Sequence, residues 1–280
     1  MSKNPDNGER TLNRSHPWLS RAVWMLFAAV MYLIGAEAVE RWLHLPMLGD
    51  VGFTLVFVLF ALLHCVVLEG GSRTGAFFAV SAIVSYLMEE TGVRTGLIYG
   101  PYHYGDLLGA KLGHVPIIIP LAWFMMIYPS WMVARELLRS IDDRSFAGIT
   151  AIAVAAAFVM TAWDVVMDPG MAAAGNWVWE KGGAYFGVPL QNYLGWLATT
   201  FLVYWIAGLL WRSMPRRAAT AKPFEALPVI VYAFFALRYV LSNRIEALQP
   251  VALFSMGMPA LLALIQLCLP PRAIAGPERS

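Results

Sequence analysis

The stretch AGITAIAVAAAFVMTAWDVVM, Ala147 to Met167, decides the fold. At the helical rise it is long enough to cross the ~30 Å hydrocarbon core of a bilayer, and it carries no charge before Asp164. Working outward, comparable apolar runs occupy Trp18 to Val39, Val51 to Leu68, Gly75 to Met88, Pro116 to Leu138, Gln191 to Trp211, Phe224 to Leu241 and Pro250 to Leu269. Composition agrees: 59% of the 280 residues are hydrophobic and 14% are charged, outside the balance of a soluble domain. The expected fold is all-α, a polytopic transmembrane helical bundle of about eight spans. Its division is a cytoplasmic N-terminal tail (1–17), an integral membrane domain (18–269) and a cytoplasmic C-terminal tail (270–280).

Orientation follows from Lys and Arg, which are retained on the cytoplasmic side. Of the 20 such residues, 14 fall in the two tails, at Arg21 beside the first, and in the connections at Arg73, Arg135 to Arg144 and Arg212 to Lys222. The opposite side holds Arg41, Arg94, Lys111, Lys181, Arg238 and Arg244. Both termini are therefore expected in the cytoplasm, in a multi-pass protein of the cell membrane. Met1 to His16 is polar, and the first apolar run is long enough to remain as an anchor rather than a cleaved signal. Cys65 and Cys268 each stand alone in an apolar run, which indicates neither a disulfide framework nor a thiolate metal site. A net charge of +2 spread over cytoplasmic connections suits topology and anionic lipid headgroups, not nucleic acid.

Two connections on the other side are long and rich in glycine and aromatics, Glu89 to Val115 and Asp168 to Pro189. Loops of this length usually carry function. Gly96, Gly100, Gly105, Gly109 and Gly113 permit turns and close approaches, while Tyr99, Tyr102, Tyr104, Trp177, Trp179 and Tyr185 present apolar faces with polar tips. An interfacial aromatic belt is the plain alternative, but a belt does not require so many glycines. The loops also resemble each other. Trp123 lies seven residues after Pro116 and Trp196 seven after Pro189, while Glu90 and Asp164 precede those prolines by 26 and 25 residues. A diverged internal repeat would bring the two loops over one shared cavity.

Acids gather where apolar helices should end: Glu37 and Glu40, Glu69, Glu89 and Glu90, Asp164 and Asp168. A carboxylate there faces the negative end of the helix dipole, and burial near lipid disfavours its ionised form, so it can hold a proton at neutral pH. Asp164 and Asp168 stand four apart, on one helical face, and Pro169 is expected to stop the helix. Acids so close favour a pair sharing one proton. Interfacial pairing with Arg is the structural alternative for each acid, yet acids within spans are functional candidates by default. Asp142-Asp143-Arg144 reads as a solvated loop.

Several chemistries lack their residues. His16, His44, His64, His103 and His114 form no HxxxH or HxxHH cluster of the kind that membrane di-iron oxygenases need. Lys3, Lys111, Lys181 and Lys222 all fall outside the spans, so a retinal Schiff base has no candidate. No GxGxxG or P-loop pattern precedes a helix. Asp164-x-x-x-Asp168 partly matches the magnesium-diphosphate acids of intramembrane prenyltransferases, but Met160 stands where those enzymes usually carry Asn.

Taken together, MEETG (Met88 to Gly92), YGPYHYGD (Tyr99 to Asp106), VPIIIPLAW (Val115 to Trp123), AWDVVMDP (Ala162 to Pro169), NWVW (Asn176 to Trp179) and GVPLQNYLGW (Gly187 to Trp196) resemble the carotenoid biosynthesis family. Within it they are similar to the CruF-type carotenoid 1,2-hydratases, which include the bisanhydrobacterioruberin hydratases. The resemblance runs from about Glu69 to Trp196. It implies addition of water across the terminal C1–C2 double bond of an acyclic carotenoid end group, giving a tertiary alcohol without redox cofactor or metal. Such a reaction needs a well-placed acid and aromatic faces to stabilise the tertiary carbocation. The expected proton donor is Asp164 or Glu90, with Asp168 or Glu89 assisting in acid positioning or water activation. Tyr99, Tyr102, His103, Tyr104, Trp177, Trp179, Asn192 and Trp196 are expected to bind substrate. Expected partners are a polyene such as lycopene, gamma-carotene or bisanhydrobacterioruberin, water, membrane lipids and other carotenoid-pathway enzymes. A carotenoid cyclase or prenyltransferase-like enzyme, and a non-enzymatic transporter or carotenoid carrier, stay open beside this reading.

Overall fold

A computed structural model of the chain describes residues 17–215 and 221–269. The two expected tails lie outside the described residues, except Pro17, which opens the first helix. Six long helices follow in order: α1 (Pro17–Val39), α2 (Asp50–Glu69), α3 (Gly71–Thr95), α4 (Ile118–Leu137), α5 (Phe146–Ala173) and α6 (Leu190–Arg212). A single turn, α7 (Lys222–Glu225), leads into α8 (Leu227–Ser242), and α9 (Glu246–Cys268) closes the described chain. All but α7 and α8 are long and apolar enough to cross a membrane, and α8 is a shorter apolar helix of 16 residues. The chain is a multi-pass helical membrane protein, and each of the eight apolar runs forms a helix.

The helices keep apolar residues on their outer faces as well as inside. Ile83, Leu87, Phe158, Phe254 and Leu261 are all more than half exposed, a surface suited to lipid rather than water. Inside, α5 runs along α4 and α6, and α4 is enclosed along most of its length. Between α2 and α3 the chain reverses at one residue, Gly70, whose φ of 88° a side chain would strain. Below that turn Glu69 accepts from Arg73 and, at 2.9 Å, from Arg135, tying α2, α3 and α4 together at one end of the bundle.

Two boundaries differ from the sequence reading. The third span runs on to Thr95, so Glu89 and Glu90 ride on the last two turns of a helix instead of opening a loop. Pro169 does not stop α5, which continues to Ala173. Proline removes one backbone donor, and packing of α5 against neighbouring helices lets the helix pass through it. In α9, Pro259 likewise cannot donate to Ser255, and the helix widens to a π turn over Leu253–Gly257.

At the other end of the bundle the two aromatic loops pair with each other. Strand β1 (Tyr102–Tyr104) from the first and β4 (Trp177–Trp179) from the second run antiparallel, with Tyr102 opposite Trp179, His103 opposite Val178 and Tyr104 opposite Trp177. Between them in sequence, β2 (Lys111–Leu112) and β3 (Val115–Pro116) form a small hairpin that delivers the chain to α4. The Gly105 amide donates to the Asn176 carbonyl at 2.9 Å, extending the junction between the loops.

Candidate active site

Glu89 lies near the end of α3 and is 4% exposed. One carboxyl oxygen accepts from the Tyr102 hydroxyl and, at 2.8 Å, from the Tyr104 hydroxyl; the other accepts from Trp123 Nε1 at 3.0 Å. Alternation along β1 makes this possible, since Tyr102 and Tyr104 share one face and His103 points to the other, where it is exposed. Burial, then the neighbouring Glu89 carboxylate, pushes both tyrosine hydroxyls well above their usual range, so both remain donors.

The adjacent acid goes elsewhere. One residue further along α3, Glu90 is turned by about 100° and pairs with Arg94 at 2.6 Å. It also accepts from the His114 backbone amide at 2.9 Å and contacts the His114 ring at 2.9 Å. Glu90 thus fastens the loop before β3 to α3, apart from the Glu89 cluster.

Asp164 and Asp168 do share one face of α5. Both are buried, and both accept from the same Asn192 Nδ2, at 3.0 and 2.7 Å. The second oxygen of Asp168 accepts from Trp177 Nε1 at 2.5 Å. The second oxygen of Asp164 is buried without a hydrogen-bond partner among the described residues.

Tryptophans stand between the two acid groups. Trp123 and Trp196 stack with ring centroids 4.1 Å apart, and Trp163 meets Trp196 edge-on at 6.1 Å. Trp179 donates to the Tyr99 carbonyl at 3.1 Å, while the Tyr99 hydroxyl bonds Thr199 at 2.8 Å, so the glycine-tyrosine loop is fixed to α6.

Glu89, Trp123, Trp163 and Trp196 border a cavity of about 330 Å³, within the ~300–1,000 Å³ range of ligand pockets. Of the residues chosen from sequence, Glu89, Trp177 and Trp196 line it. Asp164, Asp168, Asn192, Tyr99, Tyr102, Tyr104 and Trp179 do not; of these, Tyr102 and Tyr104 brace Glu89 and Asp168 braces Trp177. His103 and Glu90 face away. Sequence reasoning passed over Trp123, Trp163 and Asn176 as wall residues, and Arg238, which lines the cavity beside Glu37, one of the acids expected at helix ends. The shared spacing of Trp123 and Trp196 after Val-Pro is the signal that marks Trp123. Arg238 was counted as a loop charge, although it sits inside an apolar run. Among the described residues, no group of three or more His, Cys, Asp and Glu side chains is placed to hold a metal ion.

Comparison with known proteins points the same way as the motifs. A bisanhydrobacterioruberin hydratase from Haloarcula japonica is 36% identical over 126 residues, covering 45% of this chain and 41% of that relative. The matched segment thus spans less than half of the relative's length. No solved structure matches the chain. Residues 49–262, most of the chain and most of the cavity lining, Glu89, Trp123, Trp163, Trp196 and Arg238 included, match the family described as carotenoid biosynthesis protein. The chain belongs to that family.

Proposed function

We propose that this protein is a carotenoid hydratase, adding water across the terminal C1–C2 double bond of an acyclic carotenoid end group. The observation that carries the proposal is Glu89: a buried carboxyl on the wall of a tryptophan-lined cavity, held by two tyrosines and Trp123. Three donors fix its direction, which is what proton transfer to an unactivated alkene requires. The Glu89 carboxyl gives its proton to C2 of the terminal alkene, leaving a tertiary cation at C1. Trp123, Trp163 and Trp196 offer π faces to that charge. Water then forms the carbon-oxygen bond, and its surplus proton returns to Glu89.

A cavity of about 330 Å³ suits an end group and not an entire long polyene, so the rest of the substrate extends toward lipid. The relative's name supports bisanhydrobacterioruberin as one substrate class, with lycopene and gamma-carotene as others bearing the same end group. Asp164 and Asp168 act through Asn192 and Trp177, orienting the cavity wall. Charge asymmetry supports cytoplasmic termini, with the site toward the opposite face.

Expression in lycopene-making cells tests this reading. The expected product is heavier by one water, and Glu89→Gln abolishes it while the protein still accumulates. An isomeric product of unchanged mass would instead indicate cyclisation.

A further inference from the structure

The cavity that Glu89 borders also holds an ion pair with no part in the mechanism so far. Glu37, on the last turn of α1, accepts from Nη2 of Arg238, one turn before the end of α8, and both side chains line the cavity. The Arg238 side chain is 9% exposed and that of Glu37 33%. The guanidinium lies over the Tyr239 ring, 4.4 Å from its centroid. Its Nε is buried and has no hydrogen-bond partner among the described residues. Asn243, itself buried, lines the same stretch, while Asp50 and Arg244 stand exposed at the rim.

Such a pair is a costly way to join two helices. Taking charge out of water carries a penalty, larger for the buried Arg238 than for the one-third-exposed Glu37, and apolar residues of the same volume would hold α1 against α8 at least as well. The pair has a different consequence for the cavity. Purely apolar cavities stay dry, whereas water persists where several polar groups can bind it. Leu33, Phe53, Ile118 and Met125 belong to the same lining and offer water no partner, so the polar groups beside them decide where it stays. A site that takes a hydrocarbon and adds water to it must bind both.

We propose that Glu37 and Arg238 are positioning residues that retain the reacting water in the cavity and supply it to the cation formed beside Glu89. The proposal rests on the hydratase reading. Its chemistry is closed: the alkene takes a proton from the Glu89 carboxyl, water supplies the electron pair for the new carbon-oxygen bond, and the resulting oxonium returns one proton to Glu89. Without water at hand, the cation gives a carbon-bound proton back to Glu89 and re-forms an alkene. Loss of the pair therefore changes the fate of the cation and spares its formation.

The experiment uses membranes containing the full chain, equilibrated in D2O and supplied with lycopene. Two products are followed, the alcohol and alkene that has gained deuterium. The paired variant Glu37→Leu with Arg238→Met removes both charges, leaving neither ion buried alone. It is expected to form alcohol at least about tenfold more slowly while deuterium entry into alkene stays within about threefold of the parent protein. The exchanged pair, Glu37→Arg with Arg238→Glu, is expected to recover alcohol formation. Should the apolar pair fail to accumulate, Glu37→Gln carries the same expectation. Alcohol and deuterium entry falling together, or alcohol formation unchanged, overturns the proposal. A parent protein that yields neither product overturns the hydratase reading itself.

Discussion

Trp123 and Trp196 lie face to face, 4.1 Å between centroids and 13° between planes, and the Trp123 indole also donates to Glu89 at 3.0 Å. One side chain therefore couples the wall of the cavity to its carboxyl. Trp123→Phe keeps a ring for the stack and removes the donor; Trp123→Leu removes both. A hydrogen bond to a charged group contributes roughly 1.5–3 kcal/mol, so Trp123→Phe should lower turnover by about 10- to 100-fold. Trp123→Leu should lower it further. Rates of alcohol formation in membranes check this, and parent-like activity of Trp123→Phe would remove the indole N–H from the mechanism.

Glu89 and Glu90 provide a sharper contrast, because they are adjacent in sequence and differ in surroundings. Glu90 is paired with Arg94 and His114 away from the cavity. Exposed pairs of this kind contribute about 0–1 kcal/mol, so Glu90→Gln should retain turnover within about fivefold of the parent. Glu89→Gln should show no measurable product. A reversed order would return the donor role to Glu90.

That contrast marks the limit of what the sequence makes legible. Span positions follow from apolar run length, which depends on local composition alone, and each run from Trp18 to Leu269 forms a helix. The pairing of the two loops is foreshadowed by the equal spacing of Trp123 and Trp196 after Val-Pro, and the rings meet in the fold. What spacing alone does not supply is direction. Whether Glu89 or Glu90 faces the cavity depends on the rotation of α3, fixed by Gly92 packing on Tyr99 and by the helix running on to Thr95. Nor does local sequence disclose that Glu37 and Arg238, 201 positions apart, meet across α1 and α8. The acids Asp164 and Asp168 were legible as a pair on one face; their shared donor, Asn192, is 24 and 28 residues distant.

Asn192 is the residue on which that acid pair depends. Its amide satisfies an oxygen of each buried carboxyl, and Asn192→Leu would remove that shared donor, leaving Asp164 with none and Asp168 with Trp177 alone. The expected loss of stability is roughly 3 kcal/mol, read as a lower Tm in detergent. Asn192→Asp puts a third acid of the same shape into the cluster and should lower Tm further. Adding Asp164→Asn to Asn192→Asp returns a donor and should recover part of the loss. Unchanged Tm in all three would mean that the cluster is hydrated and not dependent on the amide.

Gly195 sits where α6 meets the glycine-tyrosine loop, and a Cβ there would lie 2.6 Å from both the Ile98 carbonyl oxygen and the Tyr99 ring. Neither neighbour can yield easily, since Trp179 holds the Tyr99 carbonyl and Thr199 the hydroxyl. Overpacking of this kind costs about 1–3 kcal/mol. Because β1 begins three residues after Tyr99, the displacement should also pull Tyr102 and Tyr104 from Glu89. Gly195→Ala is therefore expected to lower both Tm and the rate of alcohol formation. Gly75→Ala is the matched control: Gly75 lies in α3 with open space around its Cβ position, and the change should be neutral or stabilising by up to about 1 kcal/mol. If Gly195→Ala lowered Tm and left the rate unchanged, the loop would not be what positions the tyrosines on Glu89.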